Sequence, residues 1–311
     1  MLKLIQNEWM KLWQKKGTWV MMILLAAIII GFTGLAKLSE RMYDNTEWIE
    51  SMEMELADVE KELAAPELDE EDKVHLLQRQ EELQANIAMN VESTKPQTRE
   101  SVILDTFGLM SIVTLVSIIV SSSLVSVEFS QGTIKMLLSR PVNRWKILTS
   151  KYVTVILFSL LAMVVMFVVS VIGAFIFFPG TTESTLSFYE TEIATSAVWG
   201  KSLYLMFLAL INTIVMSTLA FMIGTVFRST SLAIGVSIFL YFTGNMIVFF
   251  MEKYKFAKFI LFANSNLTQY EIGYPMLSNT TMAFSAVVIA VYVVIFLVLS
   301  FLSFTKRDVT A

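Results

Sequence analysis

The chain has 311 residues, 55% hydrophobic and only 16% charged, with a mean hydropathy of +0.65, which is more apolar surface than a soluble domain of ordinary composition can bury. The absence of cysteine and the presence of one histidine, His75, disfavour disulfides, thiolate or histidine metal cages, cysteine nucleophiles and serine-histidine triads. The net charge of −4 averages two segments of opposite sign.

Within residues 1–17, Leu2, Ile5, Trp9, Leu12 and Trp13 fall on one helical face, with Lys3, Lys11, Gln14 and Lys15 away from it. The pattern predicts a cytoplasmic amphipathic helix lying in the membrane interface, its lysines toward anionic lipid. A frayed basic tail is the competing reading, and it gives no reason for two tryptophans on one stripe. The apolar run 18–36 exceeds the roughly 7 to 15 residues of a signal-peptide core and is read as the first membrane span.

Five more stretches reach the ~20 apolar residues that cross a ~30 Å hydrocarbon layer: 103–127, 152–178, 203–227, 231–251 and 282–305. Apart from Asp105 the spans contain no charge, so nothing suggests an ion or proton pathway. Six spans put both termini, including the tail 306–311, on one side. Short connections on that side carry 12 basic residues against 4 opposite, which predicts cytoplasmic termini in a plasma-membrane protein. Lys253, Lys255 and Lys258 then lie outside, in a segment 252–281 whose residues 256–263 are read as an interfacial or re-entrant piece.

The external segment 37–101 is strongly acidic. Between Lys37 and Glu100 there are 18 acidic and 7 basic residues, a net charge of −11. Ile49, Met52, Leu56, Val59 and Leu63 repeat at 3,4 spacing, Pro66 breaks the helix, Asp69 can cap the next, and Leu76, Leu83, Ile87 and Val91 form a looser facing stripe. The expectation is an antiparallel helical hairpin. Its field suits a cationic ligand or a partner subunit, or it is a solvated spacer; His75 within it reads as a surface residue. The whole chain is therefore expected to be an all-α membrane protein with six transmembrane helices, an N-terminal interfacial helix and an external hairpin.

Inside the membrane the second span is rich in hydroxyls, with Thr114, Ser117 and Ser121 sharing a face that permits close helix approach or lines a path. Asn212 and Asn245 bring amides into the fourth and fifth spans, where each needs a partner or water. Helix packing is the preferred role for the two amides over substrate contact, while the hydroxyl face suits a dimer contact or a polar strip along a translocation path. No Walker A, H-E-x-x-H or G-x-S-x-G motif occurs, so neither nucleotide hydrolysis nor these protease and hydrolase chemistries is expected of this chain.

Residues 128–151 connect the second and third spans and hold the most specific pattern. Gly132 permits a tight departure from the membrane helix, residues 133–139 can form two turns with Ile134, Leu137 and Leu138 on one side, Pro141 stops them, and Asn143 can cap the next helix. A short helix presenting apolar and basic side chains suits insertion into a groove on another protein. The order Glu128-x-x-x-Gly132-Thr133, an amphipathic run, Arg140-Pro141, then Arg144-x-x-Ile147-Leu148-x-x-Lys151 resembles the loop after the second span of type-two ABC exporter permeases, as do the interfacial first helix, six spans and large first external loop.

That resemblance implies a coupling helix, with Glu128, Gly132, Thr133, Lys135, Leu138, Arg140, Pro141 and Arg144 contributing to contact with a separate ATPase. It further implies two ATPase subunits holding ATP and Mg, a second permease, identical or related, and export of a peptide antibiotic, drug or lipid. The chain itself would bind no cofactor, metal or nucleic acid. A membrane sensor or assembly factor that uses the acidic hairpin is the alternative.

Overall fold

The computed structural model describes residues 1–42, 46–63, 70–94, 97–133, 142–181, 184–188, 191–227, 229–277 and 280–306. Six helical stretches are long and apolar enough to cross a membrane: Lys16–Leu38, Arg99–Ser130, Arg144–Phe177, Thr195–Phe227, Thr230–Met251 and Met282–Thr305. The protein is an all-α membrane protein, with one small β-hairpin among the described residues.

Helix α1 (Leu2–Gln14) turns into α2 (Lys16–Met42), the first span. The corner is closed by Thr18 Oγ1 donating to the Leu12 carbonyl at 2.7 Å and Trp19 Nε1 donating to the Trp13 carbonyl at 3.0 Å. Trp13 stacks edge-on between Trp9 and Trp19. Leu12 is buried on the bundle while Leu2 is exposed, so the predicted apolar face is used from its middle onward.

Helices α3 (Thr46–Leu63) and α4 (Glu70–Thr94) form the acidic hairpin. Among the described residues Leu83 and Val59 are its buried ones, with Met52, Leu56 and Leu63 partly covered. Arg79, nine residues into α4, reaches Glu55, eight residues before the end of α3, at 2.8 Å, which is the register of an antiparallel pair. The expected breaker and cap at Pro66 and Asp69, and the side chains of Ile49 and Val91, lie outside the described residues.

The second span starts before residue 103. Helix α5 (Arg99–Asp105) is opened by Thr98 and Ser101, which cap each other's backbone N–H at 3.3 and 3.1 Å. A tight turn, Thr106–Leu109, then leads into α6 (Met110–Ser130). Helix α7 (Arg144–Phe177) is 34 residues, or about 51 Å, so its first turns extend beyond a ~30 Å hydrocarbon layer. Asn143 holds the cap position of α7, but its side chain makes no capping bond; its carbonyl accepts the Lys146 and Ile147 amides instead.

Strands β1 (Thr185–Phe188) and β2 (Thr191–Ala194) pair antiparallel, Leu186 opposite Ile193, and bury Leu186, Phe188 and Ile193 against Ile103, Leu104 and Leu205. Then follow α8 (Val198–Phe227), α9 (Thr230–Met251), the short α10 (Leu261–Asn264) and α11 (Met282–Lys306). The segment between α9 and α11 is compact. Buried Asn264 donates to the Lys258 and Ile260 carbonyls and accepts from Ser285, while Tyr270 bonds Thr280 and Ser285.

The hydroxyls of the second span explain the closest contact in the bundle. Thr114 Oγ1 and Thr213 Oγ1 are 2.7 Å apart, and Ser121 donates to the Ser217 carbonyl, both across α6 and α8. Ser122 and Ser126 bond back to their own helix, which leaves the Ser122 carbonyl facing Gly224 so closely that a Cβ at 224 would run into it. Gly224→Leu is therefore expected to destabilise the bundle by about 1–3 kcal/mol, read as a lower temperature at which the monodisperse detergent-purified peak is lost. Gly235→Ala, with open space around it, is expected to leave that temperature unchanged.

Candidate functional site

Glu128, Lys151, Glu8 and Lys11 meet where α1, the end of α6 and the start of α7 converge. Lys151 lies about two turns into α7 and is 1% exposed. Its Nζ donates to Glu8 Oε2 and Glu128 Oε1, both at 2.7 Å, and stands 3.4 Å from the Leu124 carbonyl. Lys11 Nζ closes the other side, at 3.3 Å from Glu8 and 3.4 Å from Glu128. Two cations and two carboxylates balance at ion-pair distance, which is the condition for holding charges out of water. Lys15 stands near enough that burial and the two neighbouring lysines hold its ammonium below the ordinary lysine range. Burial pushes the Glu8 carboxyl up, but the charge and hydrogen bond of Lys151, then those of Lys11, outweigh it and hold it below its ordinary 4.5. Glu128 Oε2 is buried with no hydrogen-bond partner among the described residues, so this carboxylate is only half satisfied.

The loop emerges directly from this cluster. Gly132 adopts φ +69°, the left-handed conformation that ends a helix and that other residues adopt at a cost, so α6 stops there. Thr133 Oγ1 lies 3.4 Å from the Glu128 carbonyl, and Ser130 Oγ lies 3.1 Å from Thr230 Oγ1 at the start of α9. At the far side of the loop, Arg144 donates to the Thr305 carbonyl of α11 at 3.2 Å. Glu128 and Arg144 thus anchor the two loop ends to different helices. Lys135, Leu138, Arg140 and Pro141 lie outside the described residues.

The other sequence candidates lie deeper in the bundle, away from the 128–151 loop. Thr114, Ser117 and Ser121 are buried between α6 and α8. Asn212 and Asn245 line a cavity of about 650 Å³ between α6, α8 and α9, together with Thr114, Tyr241 and Thr268. Asn212 Oδ1 is buried without a partner among the described residues, and Tyr241 donates to the Ser111 carbonyl at 3.3 Å. The volume falls in the range of small-molecule sites.

Sequence reasoning missed three of the four cluster members. Residues 5, 8, 9 and 12 share one helical face, so Glu8 was legible as a carboxylate on the apolar stripe of α1. Lys151 closes the sequence pattern that starts at Arg144, and the helix expected after Asn143 carries it into the bundle, but nothing in the sequence marks it as a buried ion-pair partner.

Residues 78–310, about three quarters of the chain, match a family described as "Protein of unknown function (DUF2705)". The chain belongs to that family. It is 36% identical over 316 residues to "Uncharacterized protein YhcI" of Bacillus subtilis (strain 168), covering 99% of each. It is 30% identical over 198 residues to "Uncharacterized membrane protein YdbK" of the same organism, covering 62% of this chain and 76% of that one. The matched region of the family includes Glu128, Lys151 and the loop between them.

Two outcomes follow from the cluster. Lys151→Met leaves two carboxylates with only the half-exposed Lys11 between them and is expected to cost about 3–5 kcal/mol, most of it recovered in Glu8→Gln/Glu128→Gln/Lys151→Met, as ranked by thermal unfolding in detergent. Because the Glu8 carboxyl titrates below 4.5, its contribution is complete above pH 4.5 and is lost as pH falls through the lowered value. Stability measured across that acid window is expected to lose part of its slope in Glu8→Gln.

Proposed function

We propose that this chain is the membrane-spanning permease subunit of an ATP-driven ABC exporter, moving a hydrophobic or amphipathic compound such as a peptide antibiotic, drug or lipid. The permease pairs with a second permease, identical or related, and recruits two separate ATPase subunits that bind and hydrolyse ATP with Mg. It performs no hydrolysis itself. In this reading it sits in the plasma membrane with both termini cytoplasmic, and the 128–151 loop carries the coupling helix.

One observation carries the proposal: the two ends of the loop, on α6 and α7, are tied to each other and to three other helices. Glu128 binds α1 and α7 through Lys11 and Lys151, Ser130 meets α9, and Arg144 meets α11. A push on a loop so rooted is delivered to the bundle rather than absorbed locally, which is what converts closure of an ATPase pair into reorientation of spans. The 650 Å³ cavity with Asn212 and Asn245 supplies a place for part of a cargo within the same bundle.

The acidic hairpin supports a second reading, a membrane sensor or assembly factor that binds a partner through α3 and α4. Affinity purification of the tagged full chain from its native host, followed by mass spectrometry and an ATPase assay, separates the two. Co-purification of a Walker A ATPase with vanadate-sensitive hydrolysis, both lost when residues 132–140 are replaced by a flexible linker, is the expected result. Recovery with a kinase, or alone and without hydrolysis, would favour the sensor.

A further inference from the structure

The turn after α9 gathers cations that no part of the exporter reading uses. Lys253, Lys255 and Lys258, with Tyr254 and Thr280, line a cavity of about 430 Å³. Glu252 also lines it, so three positive charges face one negative charge. Among the described residues no carboxylate lies within ion-pair distance of these lysines, although Lys201, on a neighbouring helix, has Glu271 at 2.6 Å. The C-terminal end of α9 favours nearby cations, which explains how three of them can gather there.

The frame that holds them is built. Successive turns are closed by amides of Tyr254, Ala257, Phe259 and Ile260 bonding carbonyls three residues back. Ala257 is 1% exposed and packs with Val248, Ala263 and Leu277 beneath the cavity. Thr280 is fixed by its bond to the Leu277 carbonyl and by the Tyr270 hydroxyl. Lys258 extends over the rings of Phe259 and Phe284, at 5.2 and 5.9 Å from their centroids.

The surroundings decide what kind of anion fits. Tyr254 and Phe256 stack on each other and are exposed, as is Phe259, so aromatic rings alternate with the lysines in the manner of a membrane-interface belt. The adjoining end of α9 exposes Met246, Phe249 and Phe250. A ligand in this cavity therefore meets cations at one end and a continuous apolar surface at the other. We propose that Lys253, Lys255 and Lys258 form a headgroup pocket for an anionic phospholipid, the phosphate among the lysines and the acyl chains along α9. The site is independent of the exporter reading, since its chemistry needs neither an ATPase nor a particular side of the membrane.

Native mass spectrometry of the purified full chain tests this, titrated in parallel with phosphatidylglycerol, phosphatidylcholine and inorganic phosphate. The expected result is one tightly retained phosphatidylglycerol that neither phosphatidylcholine nor millimolar inorganic phosphate displaces. At roughly fivefold per lysine, Lys253→Gln/Lys255→Gln/Lys258→Gln should weaken retention on the order of 100-fold. The corresponding triple arginine variant should retain it, and Lys61→Gln/Lys73→Gln on the hairpin should leave it unchanged. Equal retention of phosphatidylglycerol by the triple glutamine variant, confirmed folded by its monodisperse elution, would overturn the proposal. So would equal retention of phosphatidylcholine, and displacement by inorganic phosphate would overturn it by showing a site for a free anion.

Discussion

The base of the bundle depends on a charge that cannot stand alone. An ammonium at the position of Lys151, sealed from water, is tolerable only with carboxylates at hydrogen-bond distance, and these come from two other helices. Lys151 therefore dictates that α1 dock on the bundle, that α6 end where Glu128 can reach inward, and that α7 begin early enough to carry the lysine inside. The apolar contacts of Leu12, Leu124 and Leu148 surround the cluster and fill the volume, but they are interchangeable in a way that the charges are not. The half-satisfied Glu128 stands at the departure of the loop, so the least settled polar group in the cluster is also the one nearest the segment proposed to move.

The pairing of α6 with α8 is governed by another constraint. Membrane helices have little hydrophobic reason to associate with each other, so close approach must come from small side chains and satisfied hydroxyls. Ser121, Thr114, Thr213 and Gly224 provide both. The other spans keep broad apolar faces outward, as Phe239, Phe242 and Phe249 on α9 show, which suits contact with lipid or another chain.

Much of this was written in the sequence because its signals are long and periodic. Six apolar runs correspond to six membrane-spanning helices, with earlier starts at α5, α7 and α8, where less apolar turns precede the apolar core. The hairpin seam was legible through the spacing of Met52, Leu56, Val59 and Leu63. Gly132 was legible as a helix stop, and its positive φ gives the reason. The ion cluster was not legible as a unit: Glu8 lies more than a hundred residues from Glu128 and Lys151, and nothing local to any of the three names its partners. The β-hairpin of Thr185–Phe188 and Thr191–Ala194 escaped notice because four-residue strands carry too little alternation, and the bonds of Asn264 and Tyr270 are set by packing against α11.

The collision that a side chain at Gly224 would suffer with the Ser122 carbonyl has a mechanical corollary. Two helices in backbone contact cannot slide past one another without opening a gap that hydrocarbon must fill, nor rotate without driving a Cβ into a peptide group. Helices α6 and α8 thus behave as one stiff post. Any change of shape in this protein has to be accommodated by the helices around that post, whose end, where the loop departs, Glu128 ties to α1 and α7.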